Sequence, residues 1–247
     1  MTGILHGVGV GPGDPELITL KALRLLRDSP VIAWPAPLTG ESMARAIAAP
    51  HINARGPDNA PVEIAIRMPM VEERFPAQSV YDTAAQEIAT HLEAGRDVVA
   101  LCEGDPFFYG SFMYLFGRLA ERFPVEVTPG VSSLTASAAA LAAPLAARND
   151  VLTILPAPLP TADMKQRLQE ADAVAIIKIG RQLDKVKAVL AELGLLENAR
   201  YIEHATMGSQ QILPVTDVTS APYFSMILVH KRGDAWRLSD LQRGSRP

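Results

Sequence analysis

Ile4-Leu5-His6-Gly7-Val8-Gly9-Val10-Gly11-Pro12-Gly13-Asp14-Pro15 is the stretch from which the fold is read. Its first part, residues 4–10, is short, apolar and partly β-branched, the pattern of a buried strand. The run stops in Gly11-Pro12-Gly13. Asp14 suits a helix N-cap and Pro15 the first helical position, so a helix is predicted next. Leu17, Leu20 and Leu23 or Leu25 would supply its apolar stripe. A buried strand that enters a glycine turn and then a helix is the opening unit of an α/β fold.

The same alternation continues outward. Strands are predicted over 31–34, 62–68, 98–102, 125–128, 151–155, 173–179, 200–203 and 224–230. Helices are predicted over 42–49, 80–94, 111–122, 162–170 and 183–193, with a further helix starting at Ser132 and Ser133. Pro35 and Pro37 are expected to stop the second strand, and Pro50 the helix before it. The chain has 247 residues, enough for one large or two modest domains. An N-terminal α/β domain over 1–130 and a C-terminal α/β domain over 131–247 are expected.

Hydrophobic residues make up 48% and charged residues 20%, a composition that buries a core and excludes intrinsic disorder. With 23 Lys+Arg against 27 Asp+Glu, the net charge of −4 disfavours general attraction to nucleic acid or anionic lipid. Cys102 is the single cysteine, so neither an intrachain disulfide nor a cysteine-based zinc site can form. The five histidines are scattered, and no metal is expected. No signal peptide and no bilayer-spanning stretch is visible, which makes a cytoplasmic protein the expectation.

Three glycine turns follow predicted strands: 11–14, 104–105 and 130–133. In open α/β sheets, ligands bind outside the carboxyl ends of the strands. Gly-Asp-Pro, found at 13–15 and 104–106, is also ordinary helix-start chemistry. Three such turns at one sheet edge favour a small-molecule site. The run Gly7-Val8-Gly9-Val10-Gly11 is not a dinucleotide fingerprint. Its last glycine position is filled by Pro12 or Asp14, and no acid closes the second strand. No P-loop lysine follows, and no nucleophile elbow surrounds Ser132 and Ser133. Cys102, at the end of an apolar strand, reads as a buried thiol.

Taken together, three strings resemble the tetrapyrrole methyltransferases of the cobalamin and sirohaem pathways. They are Gly9-Val10-Gly11-Pro12-Gly13-Asp14, Glu103-Gly104-Asp105-Pro106-Phe107-Phe108-Tyr109-Gly110 and Thr128-Pro129-Gly130-Val131-Ser132-Ser133. Trp34-Pro35-Ala36-Pro37, followed by residues 42–48, is most like the precorrin-2 C20-methyltransferase branch. The resemblance implies a two-lobed tetrapyrrole methylase fold with S-adenosyl-L-methionine in the cleft between the α/β domains, in a homodimer. It implies cofactor contacts at Pro12, Glu103, Gly104, Asp105, Phe108, Ser132, Ser133, Ile179, Ala205 and Thr206. Asp14, Arg45 and Tyr109 are expected on the substrate side, with Arg67, Arg74 and Arg148 behind Arg45 as carboxylate partners.

A sulfonium methyl is already activated, so the missing triad and metal cluster agree with this chemistry. Precorrin-2 is the expected acceptor. A cobalt-containing analogue, or a non-catalytic nucleotide- or tetrapyrrole-binding role, stands as the alternative. After methylation a proton must leave, and Tyr109, Glu103 and Asp14 are the candidates by position. The Pro-rich loop over 53–78 is expected to close over the substrate.

Overall fold

The computed structural model describes residues 1–68 and 78–231, in two compact units that divide between Ser133 and Leu134. Each carries its own five-stranded sheet and its own apolar core.

The first unit is built on β1 (Leu5–Gly9), β2 (Val31–Pro37), β3 (Val62–Met68), β4 (Val98–Cys102) and β5 (Val125–Thr128), in the order β3-β2-β4-β1-β5. All its pairings are parallel. Parallel strands need crossovers, and helices α1 (Leu20–Asp28), α2 (Met43–Asn53), α3 (Gln78–Glu93) and α4 (Phe112–Leu119) intervene between them. The side-chain alternation of the strands sorts the core to two faces. Val98, Ala100 and Cys102 pack towards α3 and α4, while Val99 and Leu101 pack towards α1 and α2. Gly7 sits on the α4 side, where an added Cβ would overlap the Phe112 ring. The ring therefore occupies the space a side chain would have filled.

Three local expectations are corrected. Asp14 caps only a single 3-10 turn, Pro15–Leu17, through Glu16 N–H to Oδ1 at 2.8 Å. The true first helix begins after Thr19, whose hydroxyl accepts from Ala22 N–H. It buries Ala22 and Leu26, with Leu23 and Leu25 partly buried against the same core, and leaves Leu20 75% exposed, so only part of the expected stripe faces the core. Secondly, β2 runs through Pro35 and Pro37. It pairs with β4 only as far as Ala33, and with β3 throughout. The prolines thus lie where the strand has an open side, the place a strand tolerates a missing N–H. Thirdly, Pro50 falls inside the last turn of α2 rather than ending it.

The second unit contains β6 (Leu152–Pro156), β7 (Ala173–Ile177), β8 (Ala199–Glu203), β9 (Gln211–Leu213) and β10 (Ser225–His230), ordered β6-β7-β10-β8-β9. β10 is antiparallel to both neighbours, so β7 and β8 run the same way on either side of it. Helices α6 (Thr161–Glu170) and α7 (Leu183–Glu192) cover one face with Met164, Leu168, Val186 and Leu190. Helix α5 (Ser133–Ala140) follows the third glycine turn. The short edge strand β9 was not foreseen, because three exposed residues carry no periodicity. Among the described residues no helix is long and apolar enough to cross a membrane.

Candidate functional site

The three glycine turns meet at the carboxyl edge of the first sheet. Gly11 and Gly104 exchange backbone hydrogen bonds, with Gly104 N to Gly11 O at 2.8 Å and Gly11 N to Gly104 O at 3.3 Å. An added Cβ on Gly9 would stand 2.5 Å from Gly104 O and 2.7 Å from Gly130 Cα. One on Gly130 would overlap Gly104 O. Backbone lies directly on backbone here, so only glycine fits at Gly9 and Gly130. Gly104 has φ +63°, and a Cβ there would stand 3.8–3.9 Å from Val131 O, Ser132 Cα and Ser133 N, pointing at the start of α5.

Asp105 locks this arrangement. Its Oδ1 accepts from Phe107 N–H at 2.9 Å and its Oδ2 from Gly130 N–H at 3.1 Å. The residue expected to touch a cofactor is thus also the tether between the second and third turns. Pro12 is buried beside them, Ser132 is half-buried, and Ser133 is exposed as the first residue of α5. Phe108 is half-buried and meets the exposed Tyr109 edge-on at 5.2 Å. Tyr109 has φ +56°, in the left-handed region that costs a non-glycine residue about 1–2 kcal/mol.

Glu103 turns its Oε1 onto the first turn of α2, accepting from Ala44 N–H at 3.2 Å. Burial pushes its carboxyl above the ordinary glutamate value, against the opposing pull of its own and the Ala44 N–H. Burial likewise pushes up the Cys102 thiol, which lies 3.7 Å from the Ser111 hydroxyl. Asp14 serves the 3-10 turn described above.

Two of the arginines expected on the substrate side, Arg45 and Arg67, are engaged within the first unit. Arg45 holds Glu63 with Nε to Oε2 at 3.1 Å and Nη2 to Oε1 at 3.0 Å, reaches Asn53 Oδ1 at 2.9 Å, and lies over the Trp34 ring. A ligand carboxylate would have to displace Glu63 from that fork. Arg67 donates to Pro37 O. Arg148 is an exposed residue at φ +51°. Arg74 lies outside the described residues, as do residues 69–77 of the expected covering loop over 53–78; of the rest, Pro57–Asn59 form a 3-10 turn and Val62–Met68 form β3, so that part is not a free covering loop.

A different edge gathers the remaining candidates in the second unit. Past β7 come Lys178 (φ +59°), Ile179 and Gly180 (φ +39°); past β8 come His204 (φ +48°), Ala205 and Thr206 (φ +71°). Ile179 is fully buried. His204 N–H donates to Phe224 O at 2.9 Å, which joins the turn after β8 to the segment entering β10. A Cβ on Gly180 would lie 4.0 Å from Tyr223 Cα. Three left-handed non-glycine residues at the matching ends of two strands are strain concentrated in one place, a recognised mark of ligand sites. Ile179, Ala205 and Thr206 are expectations from the resemblance; Lys178, next to Ile179 in the chain, and the Tyr223–Phe224 pair were not singled out by it. The available signal was a lysine standing directly after the all-apolar strand 173–177.

Among the described residues no cluster of three His, Cys, Asp or Glu is placed to hold a metal.

Comparison with known proteins adds a family and a fold. Residues 4–219 match the Tetrapyrrole (Corrin/Porphyrin) Methylases. The chain is 41% identical over 92% of its length to the cobalamin biosynthesis protein CobIJ of Mycobacterium tuberculosis, and spans about half (46%) of that relative's length. It is 38% identical to the precorrin-2 C(20)-methyltransferase of a Sinorhizobium species, covering 92% of this chain and 95% of that one. It is 31% identical to the cobalt-precorrin-2 C(20)-methyltransferase of Salmonella typhimurium, covering 94% and 98%. Among solved structures, the uroporphyrin-III C-methyl transferase of Thermus thermophilus complexed with S-adenyl homocysteine aligns with a TM-score of 0.67 at 23% identity, over 92% of this chain and 97% of that one. That likeness carries the two-sheet α/β fold.

Proposed function

Because the chain belongs to the tetrapyrrole (corrin/porphyrin) methylases, we propose that it transfers a methyl group from S-adenosylmethionine to C20 of precorrin-2, giving precorrin-3A on the aerobic route to cobalamin. The observation that carries this reading is the similarity, over nearly the whole of both chains, to the Sinorhizobium enzyme named for that reaction. The similarity to the Salmonella enzyme supports a second reading, the same transfer to a cobalt-containing acceptor. We rank it second because the identity is lower, 31% against 38%.

The residues present fit the donor. The backbone-on-backbone packing of Gly9, Gly104 and Gly130 brings three turns together without intervening side chains. The bound donor supplies a methyl already activated by its sulfonium. The protein then has to hold, align and exclude water, and a near-attack separation of roughly 3–3.5 Å is what alignment must reach. In this reading the donor contacts are Pro12, Glu103, Gly104, Asp105, Phe108, Ser132, Ser133, Ile179, Ala205 and Thr206.

Asp14, Arg45 and Tyr109 are assigned to the acceptor. Tyr109 is the one with a strongly exposed side chain and a strained backbone, which suits a ring that meets the macrocycle. Burial raises the Glu103 carboxyl above the ordinary glutamate value, and its hydrogen bond from Ala44 N–H anchors the start of α2 beside the second turn. The assembly of the chain is proposed to be a homodimer.

The deciding experiment incubates the purified protein with methyl-labelled S-adenosylmethionine and either precorrin-2 or cobalt-factor II. Label in precorrin-3A supports the aerobic reading. Transfer confined to the cobalt substrate replaces it with the second, and binding of S-adenosylhomocysteine with no transfer to either leaves only a binding role.

A further inference from the structure

The structure assigns Glu203 as the residue that accepts a ribose hydroxyl of the adenosyl donor, an inference that rests on the methyl-transfer reading above. Glu203 is the last residue of β8 and stands just before Ala205 and Thr206, two of the expected donor contacts. A carboxylate at the carboxyl end of a strand that takes hydrogen bonds from ribose hydroxyls is a recurring solution for nucleoside ligands. In the first unit β2 ends in Pro37 with no acid, and each oxygen of Asp105 already accepts a backbone N–H. The His204 N–H bond to Phe224 O at 2.9 Å pins the turn after β8, so Glu203 and Ala205 share one held piece of backbone.

Side chains two apart in a strand share a face, which puts Tyr201 and Glu203 together. Tyr201 is fully buried, and its hydroxyl donates to Glu203 Oε2. Burial, and after it the Glu203 carboxylate, push the phenol above the ordinary tyrosine value, so it stays protonated and keeps donating. Glu203 itself is half-buried, and no other hydrogen bond or ion pair reaches its carboxylate from the described residues. Ser225, opposite it in the ladder, gives its hydroxyl hydrogen to Pro222 O at 2.6 Å. Oε1 therefore keeps its acceptor capacity, on a side chain already held by a buried group. Such a preset acceptor avoids the ordering cost that a freely rotating surface glutamate meets on binding.

Titration calorimetry compares S-adenosylhomocysteine with its dideoxyribose analogue, which lacks both ribose hydroxyls. The unmodified protein is expected to bind the analogue about tenfold more weakly or worse. Glu203→Leu should weaken S-adenosylhomocysteine by about tenfold and bind the two ligands within about twofold of each other. Glu203→Gln, which keeps an acceptor oxygen, should recover part of the discrimination. Glu203→Leu also leaves the buried Tyr201 hydroxyl without its acceptor. If that variant melts low, the double variant Tyr201→Phe, Glu203→Leu, which removes both partners, takes its place. A variant that discriminates between the two ligands as strongly as the unmodified protein, whatever its absolute affinity, would make Glu203 a structural residue and overturn the assignment. So would an unmodified protein that binds both ligands alike. An unmodified protein that neither binds S-adenosylhomocysteine nor transfers methyl would instead overturn the parent reading, and this role with it.

Discussion

The two units turn their chains at strand ends in opposite ways. In the first, glycine makes the decisive turns at Gly9, Gly11, Gly104 and Gly130, and the backbones they bring together leave no room for a Cβ at Gly9 or Gly130. In the second, Lys178, His204 and Thr206 occupy left-handed conformations with their side chains retained. Among the described residues of the first unit, Tyr109 alone does likewise. Glycine is chosen where backbone must touch backbone. A strained side chain persists where removing it would cost more than the strain, and a binding role is the usual reason.

The comparison breaks most visibly at Gly130. Gly130→Ala forces a Cβ into Gly104 O and within 2.8 Å of Gly9 Cα. We expect a loss of about 3 kcal/mol, seen as a fall of about 10 °C in Tm. A melting point within about 2 °C of the unmodified protein would show that the three-turn junction yields easily. Next in size is Asp105→Ala, which removes the acceptor for Gly130 N–H that ties the second turn to the third and the acceptor for Phe107 N–H within the second turn. Affinity for S-adenosylhomocysteine should drop about tenfold or more by calorimetry, with Asp105→Asn in between. Unchanged affinity would take Asp105 out of the site.

The opposite sign is expected in the second unit. Thr206→Gly relieves a β-branched residue at φ +71° but adds freedom to the unfolded chain. The net should be a gain of about 0.5 kcal/mol, or about 1–2 °C in Tm. A clear loss would mean that the threonine side chain makes contacts that outweigh its strain.

The smallest effect is on acid stability. His6 and His91 are buried in the first unit, and burial lowers both below the ordinary histidine value, for His6 against the opposing pull of Asp97 and Glu126. As pH falls below about 6.5 the unfolded chain takes up protons before the folded one does. The stability these neutral rings contribute is present above that pH and is lost as pH falls towards their folded values. The double variant His6→Gln, His91→Gln should flatten the urea midpoint between pH 6.5 and 5. An unaltered slope would put the acid sensitivity elsewhere.

Much of the fold was legible along the chain. Strands 62–68, 98–102 and 125–128 stand where their apolar and β-branched runs predict. The run 98–102 carries its own signal because a central parallel strand is buried on both faces, whereas the edge strand 62–68, exposed at alternate positions, is read from its alternation. The proline boundaries were not legible. Whether Pro35 and Pro37 end a strand depends on which neighbour lies beside them, and β4 parts from β2 at Ala33. The start of α1 misled for a related reason. Asp14-Pro15 is a good start for a 3-10 turn and for an α-helix alike, and only the packing of Ala22 and Leu26 selects the second start at Thr19. At the candidate site, the three glycine strings could be read as strings. That Asp105 ties two of them together, and that Glu63 fills the fork of Arg45, depends on distances across the sheet.

From its residues alone this protein is an α/β chain whose strands, glycine turns and family strings are set by local chemistry: apolar runs, turn residues and missing side chains act over a few positions. Its tertiary structure alone decides which turns touch, which polar groups already have partners, and which side chains stay in strained backbone. Those properties belong to pairs of residues far apart in the chain, and they exist only once the sheets have brought the strand ends together.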